Sequence, residues 1–158
     1  MADEAKIKQA KIVYKSLCDM LDEKSWRYKR LDDKLTIECG AQGDDLPIQL
    51  RIEVDAERML VVLLSQMPFA VAENRRSALA VAVSAANYNM VDGSFDYNYL
   101  NGNIVFRLTS CFRDSLIGKD MLEYMVACSC YTIDDYNDKF LAVSKNNMSV
   151  SEILEYIK

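Results

Sequence analysis

Acidic and sulfur-bearing side chains are the groups of this chain that could do chemistry, because the sequence contains no histidine. Without an imidazole, the Ser-His-Asp and Cys-His pairings are excluded, and so is the commonest general base at neutral pH. An enzyme would then need a cleft that joins carboxylates to a lysine or a cysteine, and no grouping along the chain predicts one. We therefore predict a protein that is not an enzyme, with no catalytic residue, cofactor or metal.

The densest group of carboxylates is Asp134, Asp135 and Asp138. Asp134 and Asp138 share one face of a predicted helix, where their oxygens could meet a hard cation. Such a cation prefers six or more oxygen ligands in a shaped loop, which a helix face does not supply. Asp135 can also pair with Lys139 one turn on. We interpret the group as a solvated helix face.

The five cysteines are an odd set without the spacing of a disulfide framework. Cys128 and Cys130 lie two residues apart in a predicted helix, about 200° apart around its axis, so they cannot both bind one metal ion. Small apolar packing residues are the expected role of the cysteines, and no disulfide is predicted.

The run from Trp26 to Arg30 interleaves aromatic and basic residues, a pattern typical of stacking surfaces for single-stranded nucleic acid. The chain as a whole carries a net charge of -5, which opposes binding to nucleic acid and to an anionic membrane surface. We therefore expect an edge strand, or packing of these aromatics against the first helix, and no nucleic-acid or membrane partner.

Length and hydropathy predict one cytoplasmic domain that spans residues 1–158. No apolar run approaches the roughly 20 residues of a membrane helix. The first residues also lack the basic and apolar regions of a signal peptide.

Periodicity predicts the secondary structure. Helices are predicted at about Asp3–Leu21, Ala70–Met90 and Lys119–Ser144, and a short capped helix at Ser149–Ile157. Strands are predicted at Trp26–Leu31, Lys34–Cys39, Leu46–Val54 and Met59–Leu64, before a hairpin at Phe95–Leu108. Because strands come in consecutive groups, we predict an α+β fold with a mostly antiparallel sheet, in the order α-β-β-β-α-β-β-α(-α).

The strand Met59–Leu64 is apolar at every position. This pattern is typical of a strand that is covered on both faces, and we expect helices on one side and something else on the other. We expect Pro68 to end the strand.

Asn101-Gly102 lies between two alternating runs, which is a strong hairpin signal. A two-residue turn there predicts that Asp96 lies opposite Arg107 on one face. The other face would carry the apolar and aromatic residues Phe95, Tyr97, Tyr99, Ile104, Phe106 and Leu108.

Three segments resemble the YbjN-like family, which has the type III secretion chaperone-like fold. Asp55–Phe69 is similar to the family's strand, proline and helix entry, and Ala86–Arg107 to its helix end and pair of strands. The long helix through Tyr136 and the segment Ser149–Leu154 resemble the last two elements. The resemblance covers roughly residues 25 to 158.

Members of this family are viewed as non-enzymatic, and the related chaperones are homodimers that hold a client polypeptide on apolar surface. The resemblance therefore implies a chaperone-like or regulatory module that engages another protein or peptide as a homodimer. The candidate residues for the partner or dimer surface are Met59, Val61, Leu63, Tyr97 and Tyr99. The alternative is a sensory domain that binds a small molecule between helix and sheet, in a pocket lined by the two tyrosines.

Overall fold

The computed structural model of the protein describes residues 3–88 and 90–158. The helices are α1 (Glu4–Glu23), α2 (Arg76–Tyr88), α3 (Lys119–Lys145) and α4 (Val150–Ile157). The strands are β1 (Tyr28–Leu31), β2 (Thr36–Gln42), β3 (Pro47–Asp55), β4 (Leu60–Ala70), β5 (Ser94–Asn98) and β6 (Asn103–Cys111). The predicted α+β class and the order of elements are confirmed.

The strands form one six-stranded sheet in the order β1-β2-β3-β4-β6-β5, in which each neighbouring pair is antiparallel. Strands β1 to β4 follow one another as a meander, since short turns join strands that are adjacent in sequence. The chain then passes through α2 and returns with β5 and β6. Strand β6 lies beside β4, which places β4 inside the sheet.

One face of the sheet, which we call the covered face, packs against the helices. On β3 the side chains of Ile48, Leu50, Ile52 and Val54 are buried there, while Gln49 is exposed on the other face. Helix α1 contacts β3, α3 contacts β3, β4 and β6, and α2 contacts β5. Helix α4 packs on α2 and α3 instead of on the sheet. The described residues share one hydrophobic core between sheet and helices.

Side-chain caps mark the starts of α1 and α4. The Asp3 carboxylate accepts a hydrogen bond from the Lys6 backbone N–H at 2.8 Å. At α4, Ser149 and Glu152 form the reciprocal capping box that the sequence predicts. These bonds satisfy backbone donors that a helix start otherwise leaves unpaired.

Strand β4 continues through Pro68 to Ala70, so the prediction that Pro68 ends the strand is wrong. Proline lacks the N–H that a sheet ladder needs, but few ladder hydrogen bonds form in this part of β4. Strand β3 pairs with β4 only as far as Leu64. On the β6 side, the register shifts between Gln66 and Ala70, and Pro68 lies within that irregularity.

Helix α2 begins at Arg76 and not at the predicted Ala70, because β4 and a 3₁₀ turn (Glu73–Arg75) occupy the intervening residues. The Arg75 guanidinium in that turn donates to the carbonyl oxygens of Val143 and Asn146 at the end of α3. A cation there satisfies free carbonyls and complements the helix dipole.

The β5–β6 hairpin exists, but its predicted register is wrong by two residues. Asp96 lies opposite Val105, and Asn98 opposite Asn103. A shift of two residues keeps the side chains of β5 and β6 on their predicted faces, because side chains alternate with a period of two. The Asp96 carboxylate therefore still binds Arg107, but diagonally, at 2.7 and 3.0 Å.

The register differs because the hairpin loop has four residues, Tyr99–Gly102, instead of two. The Asn98 side chain accepts a hydrogen bond from the Leu100 N–H, and the Asn98 carbonyl accepts one from the Gly102 N–H. Gly102 has a φ of 77° and lies directly against the backbone of Val71, where a Cβ would overlap the Val71 carbonyl oxygen. These contacts favour the longer loop over the two-residue turn.

Candidate partner-binding face

The face of the sheet that points away from the helices carries an apolar stripe. We call this side the open face. Its stripe consists of Leu60, Val62 and Leu64 on β4 and Val105 on β6. All four side chains are half-buried, although β4 lies inside the sheet. No helix covers them in the described part of the chain, so helices cover only one face of β4, and what covers the other face stays a prediction.

The candidate residues Met59, Val61 and Leu63 lie in the core, at exposures of 2%, 0% and 1%. Val61 and Leu63 point to the helices from the covered face of β4, and Met59 precedes the strand. They are therefore inaccessible to a partner in this fold. The alternating residues of the same strand, such as Val62, occupy the open face instead.

Sequence reasoning could not separate the two faces of β4, because an unbroken apolar run has no alternation. The neighbouring strand contained the missing signal. Ile52 lies opposite Leu63, and Glu53 lies opposite Val62. Since β3 alternates clearly between apolar and charged residues, it would have identified the outward positions of β4 once the pairing register was known.

Charged residues flank the apolar stripe in a row that crosses the sheet. Lys29, Glu38, Arg51, Leu64 and Arg107 stand side by side on five successive strands. Leu64 therefore lies between two arginines. This arrangement gives the open face an apolar centre with a polar border, the general anatomy of a protein interface.

The charges on the open face are paired within the chain. Glu38 forms ion pairs with Lys29 at 3.6 Å and with Arg51 at 3.2 Å, and Glu53 lies 3.8 Å from Arg51. On the other side of the stripe, the bidentate bond to Asp96 raises the pKa of Arg107.

These charged residues are three cations and three carboxylates: Lys29, Arg51, Arg107, Glu38, Glu53 and Asp96. The border of the stripe is thus neutral, although the whole chain carries a net charge of -5. A second surface of the same kind would meet no net electrostatic repulsion there.

Tyr97 and Tyr99, the other two candidates, lie at the opposite side of the hairpin near the start of α2. The Tyr97 hydroxyl donates to the Arg76 carbonyl at 3.3 Å, and the Tyr99 hydroxyl lies 2.9 Å from that of Ser77. The rings contact each other edge to face at 6.4 Å. Tyr97 is half-buried and Tyr99 is 51% exposed, so the structure does not bring them together with the β4 stripe.

A groove of about 800 Å³ lies between α2 and α4. Small residues of α2, including Ala80, Ser84 and Ala85, form one side of it, and Leu154 and Ile157 form the other. This groove lies between helices, not between helix and sheet, and neither Tyr97 nor Tyr99 lines it. Its lining is mostly apolar, which suits a small apolar molecule.

The Trp26–Arg30 run is used for packing. The Tyr28 hydroxyl donates to Asp22 of α1 at 2.8 Å, and the Arg30 guanidinium lies over the Tyr14 ring, 5.7 Å from its centroid. Trp26 packs against the core. The hydrogen bonds from Arg30 and Tyr14 lower the pKa of Asp32. These contacts leave little aromatic surface for stacking with bases.

Asp134 has a structural contact in place of the predicted solvated role. Its carboxylate accepts the Asp44 N–H at 2.9 Å, which docks the β2–β3 turn on α3. Gly43 lies so close that a Cβ would overlap this carboxylate. Among residues 3–88 and 90–158, no group of three or more acidic, cysteine or histidine side chains could hold a metal ion.

The cysteines vary in exposure. Cys18 and Cys39 are buried, Cys128 and Cys130 are half-buried, and Cys111 is exposed at the end of β6. Burial raises the pKa of the Cys39 thiol to about 12 and that of Cys130 to about 11. Both thiols are therefore protonated at neutral pH and lack the thiolate that nucleophilic chemistry requires.

None of the helices in the described ranges is long and apolar enough to span a membrane.

Comparison with known proteins identifies the family. Residues 14–142 match the model of the YbjN family, described as "putative bacterial sensory transduction regulator". Among solved structures, the chain is similar to YbjN from E. coli, "a putative transcription regulator", with a TM-score of 0.57 and 14% sequence identity. That match covers 78% of this chain and 90% of the other, and at this identity it supports the fold alone. The comparison with curated proteins gives no match. Because the family model spans most of the sequence, this chain belongs to the YbjN family.

Proposed function

We propose that this protein is a non-enzymatic regulator that acts by binding another polypeptide across the open face of its sheet. The observation that carries the proposal is the half-buried apolar stripe of Leu60, Val62, Leu64 and Val105, which no helix within residues 3–88 and 90–158 covers. Contiguous apolar surface with a polar border is typical of protein interaction sites. The family description as a regulator supports such a role, and a cytoplasmic location is consistent with it.

The chemistry of the open face specifies an occupant that is apolar and carries no net charge. A second copy of this chain offers such a surface, since its own charges are already paired. A homodimer is therefore the complex that we propose. A stable interface buries about 800 Å² on each partner, so the contact must extend from the stripe to the flanking ion pairs.

The test is sedimentation of the purified chain over a range of concentrations. We expect a concentration-dependent dimer, and we expect Leu64→Asp to weaken association at least tenfold because it replaces an apolar side chain of the stripe with a carboxylate that must lose its hydration in the interface. Leu100→Asp is the matched control, because Leu100 is 85% exposed at the hairpin tip, away from the stripe. It should leave the dimer intact.

A chain that stays monomeric at all concentrations would contradict the homodimer. A dimer that Leu64→Asp and Leu100→Asp affect equally would show that the open face is not the interface. Circular dichroism of both variants would establish that they remain folded.

A second candidate is a sensory domain that binds a small apolar molecule in the groove between α2 and α4. The apolar lining of that groove, which includes Val81, Leu154 and Ile157, favours it. A thermal-shift screen of apolar ligands tests it, with Ala85→Phe as the variant that fills the groove. Stabilisation of the parent chain that Ala85→Phe abolishes would support this second function.

A further inference from the structure

Strand β5 lies at one edge of the sheet. It pairs with β6 on one side, and no strand lies on its other side among residues 3–88 and 90–158. In an antiparallel pair, successive residues direct their backbone N–H and C=O groups alternately toward the neighbouring strand and away from it. Phe95 directs both groups away from β6, since both bond to the side chain of Asn87. Tyr97, two residues on, therefore has the same orientation as Phe95.

The Asn87 side chain occupies the edge at Phe95 as a neighbouring strand would. Its Oδ1 accepts the Phe95 N–H at 2.8 Å, and its Nδ2 donates to the Phe95 carbonyl oxygen at 2.9 Å. A carboxamide carries an acceptor beside a donor, as a peptide group does, so it can pair with both backbone groups at once. Asn87 belongs to the last turn of α2, which packs against β5 and holds the carboxamide at the edge.

Tyr97 leaves the second outward position of β5 open. Its hydroxyl donates to the Arg76 carbonyl, but its backbone N–H and C=O form no hydrogen bond with another described residue. A strand added to β5 would bond to both outward positions, because ladder bonds on one side recur at every second residue. Such a strand would pass Phe95 and meet the Asn87 side chain there. Asn87 therefore blocks strand addition even though Tyr97 is open.

The two edges of the sheet are protected in different ways. Strand β1, at the opposite edge, is four residues long and carries the exposed Lys29 and Arg30. Short length and basic side chains are common protections of an edge strand. Strand β5 contains no proline or lysine, its pairing with β6 is regular, and its one charged residue, Asp96, is bound to Arg107. Asn87 thus supplies a protection that the sequence of β5 lacks.

We propose that Asn87 closes the β5 edge against the addition of a further strand and so prevents two copies of the chain from joining edge to edge. A second copy of β5 is the strand that it excludes, because two antiparallel β5 edges would offer each other the same backbone donors and acceptors. The proposal concerns the edge of the sheet and not its open face. It therefore does not depend on the homodimer proposed above.

The test compares self-association in the Leu64→Asp background, which weakens any contact through the open face. In sedimentation, Leu64→Asp/Asn87→Ala should associate at least tenfold more tightly than Leu64→Asp, because the backbone groups of Phe95 become available. The matched control is Leu64→Asp/Asn101→Ala. The Asn101 side chain also accepts a backbone N–H, that of Asn103 at 3.0 Å, but at the hairpin tip. This control should associate no more tightly than Leu64→Asp.

Amide hydrogen exchange separates pairing at the edge from a general loss of stability. If copies join through β5, the Tyr97 amide of Leu64→Asp/Asn87→Ala should exchange at least tenfold more slowly at high protein concentration than at low concentration. In the parent chain, the exchange rate of the same amide should not depend on concentration. This second measurement needs no variant to fold.

Three results would overturn the proposal. Removal of the Asn87 carboxamide could leave association at the level of the control. It could also cause aggregation without slower exchange at Tyr97, and either result would show that Asn87 only fastens α2 to β5. Slower exchange at Tyr97 in the concentrated parent chain would show that the edge accepts a strand while Asn87 is in place.

Discussion

The two faces of β4 are built from the same kinds of residue but have different surroundings. Val61 and Leu63 are buried beneath the helices, whereas Val62 and Leu64 are half-buried on the side that none of the described helices covers. Strand β3 beside it follows the usual rule, with Ile52 inside and Glu53 outside. The chain's own core therefore requires only one apolar face, and the second apolar face of β4 needs another explanation. Contact with a partner provides one.

The largest difference in stability should appear between side-chain truncations at neighbouring positions on the two faces of β4. Leu63→Ala removes a fully buried side chain and should lower the free energy of unfolding by about 2–5 kcal/mol. Leu64→Ala removes the same atoms from the open face and should cost the monomer about 1 kcal/mol or less. Urea denaturation at low protein concentration measures both. Equal losses would show that the faces are equivalent and would remove the basis for a partner surface.

Substitution of Asp55 should lower the stability by a smaller amount. Asp55 stabilises the turn before β4, and this turn sets which residues of β4 face the helices. Its carboxylate accepts the backbone N–H groups of Glu57 and Arg58 at 2.9 and 2.8 Å. Burial opposes ionisation of Asp55, but the bonds from Arg58 outweigh it and lower its pKa. We expect Asp55→Ala to cost about 1 kcal/mol at neutral pH, the typical value of a lost side-chain cap.

The pH dependence follows from the lowered pKa. A carboxylate that ionises more easily in the folded state stabilises the protein above its unfolded pKa, about 3.9. That stabilisation is lost as the pH falls through the folded value. The difference between the parent chain and Asp55→Ala should therefore be constant near pH 7 and shrink below about pH 4. A difference that grows on acidification would contradict the assignment.

The smallest effect should come from the ion pair at the border of the stripe. The side chains of Asp96 and Arg107 are both 48% exposed, so their coupling should be about 1 kcal/mol or less. A double-mutant cycle with Asp96→Asn and Arg107→Gln measures this coupling. A coupling energy that rises with protein concentration would place the ion pair inside the interface. A coupling energy that does not change would restrict the interface to the apolar stripe.

Local patterns predicted the elements of the fold better than the connections between them. The alternation of β3 and the capping box at Ser149 are short-range signals, and both are confirmed. The hairpin register failed because Gly102 packs against Val71, a contact between residues 31 positions apart that no local turn rule includes. The prediction that Pro68 ends the strand failed for a similar reason, since only the pairing of β4 with its neighbours shows that no ladder hydrogen bond is needed there.

The candidate site shows the same limit. The apolar run identifies β4 as a candidate partner surface, but the direction of each side chain depends on the turn before the strand. Met59 closes that turn with a φ of 59°, a conformation that favours glycine, while its side chain is buried. The loop of residues 56–59 between β3 and β4 places Val61 inside and Val62 outside. Sequence reasoning therefore found the strand, but Val61 and Leu63, which it selected, lie on the covered face.

The exposed thiol of Cys111 allows the most direct test of the open face. Cys111 lies opposite Leu60 at the end of the apolar stripe. The measurement is the rate of maleimide labelling at Cys111, followed by mass spectrometry over a range of protein concentrations, with Cys128 as the internal reference. If two copies meet across the open face, labelling of Cys111 should slow at high concentration in the parent chain but not in Leu64→Asp. A rate that is independent of concentration in the parent chain would contradict the account.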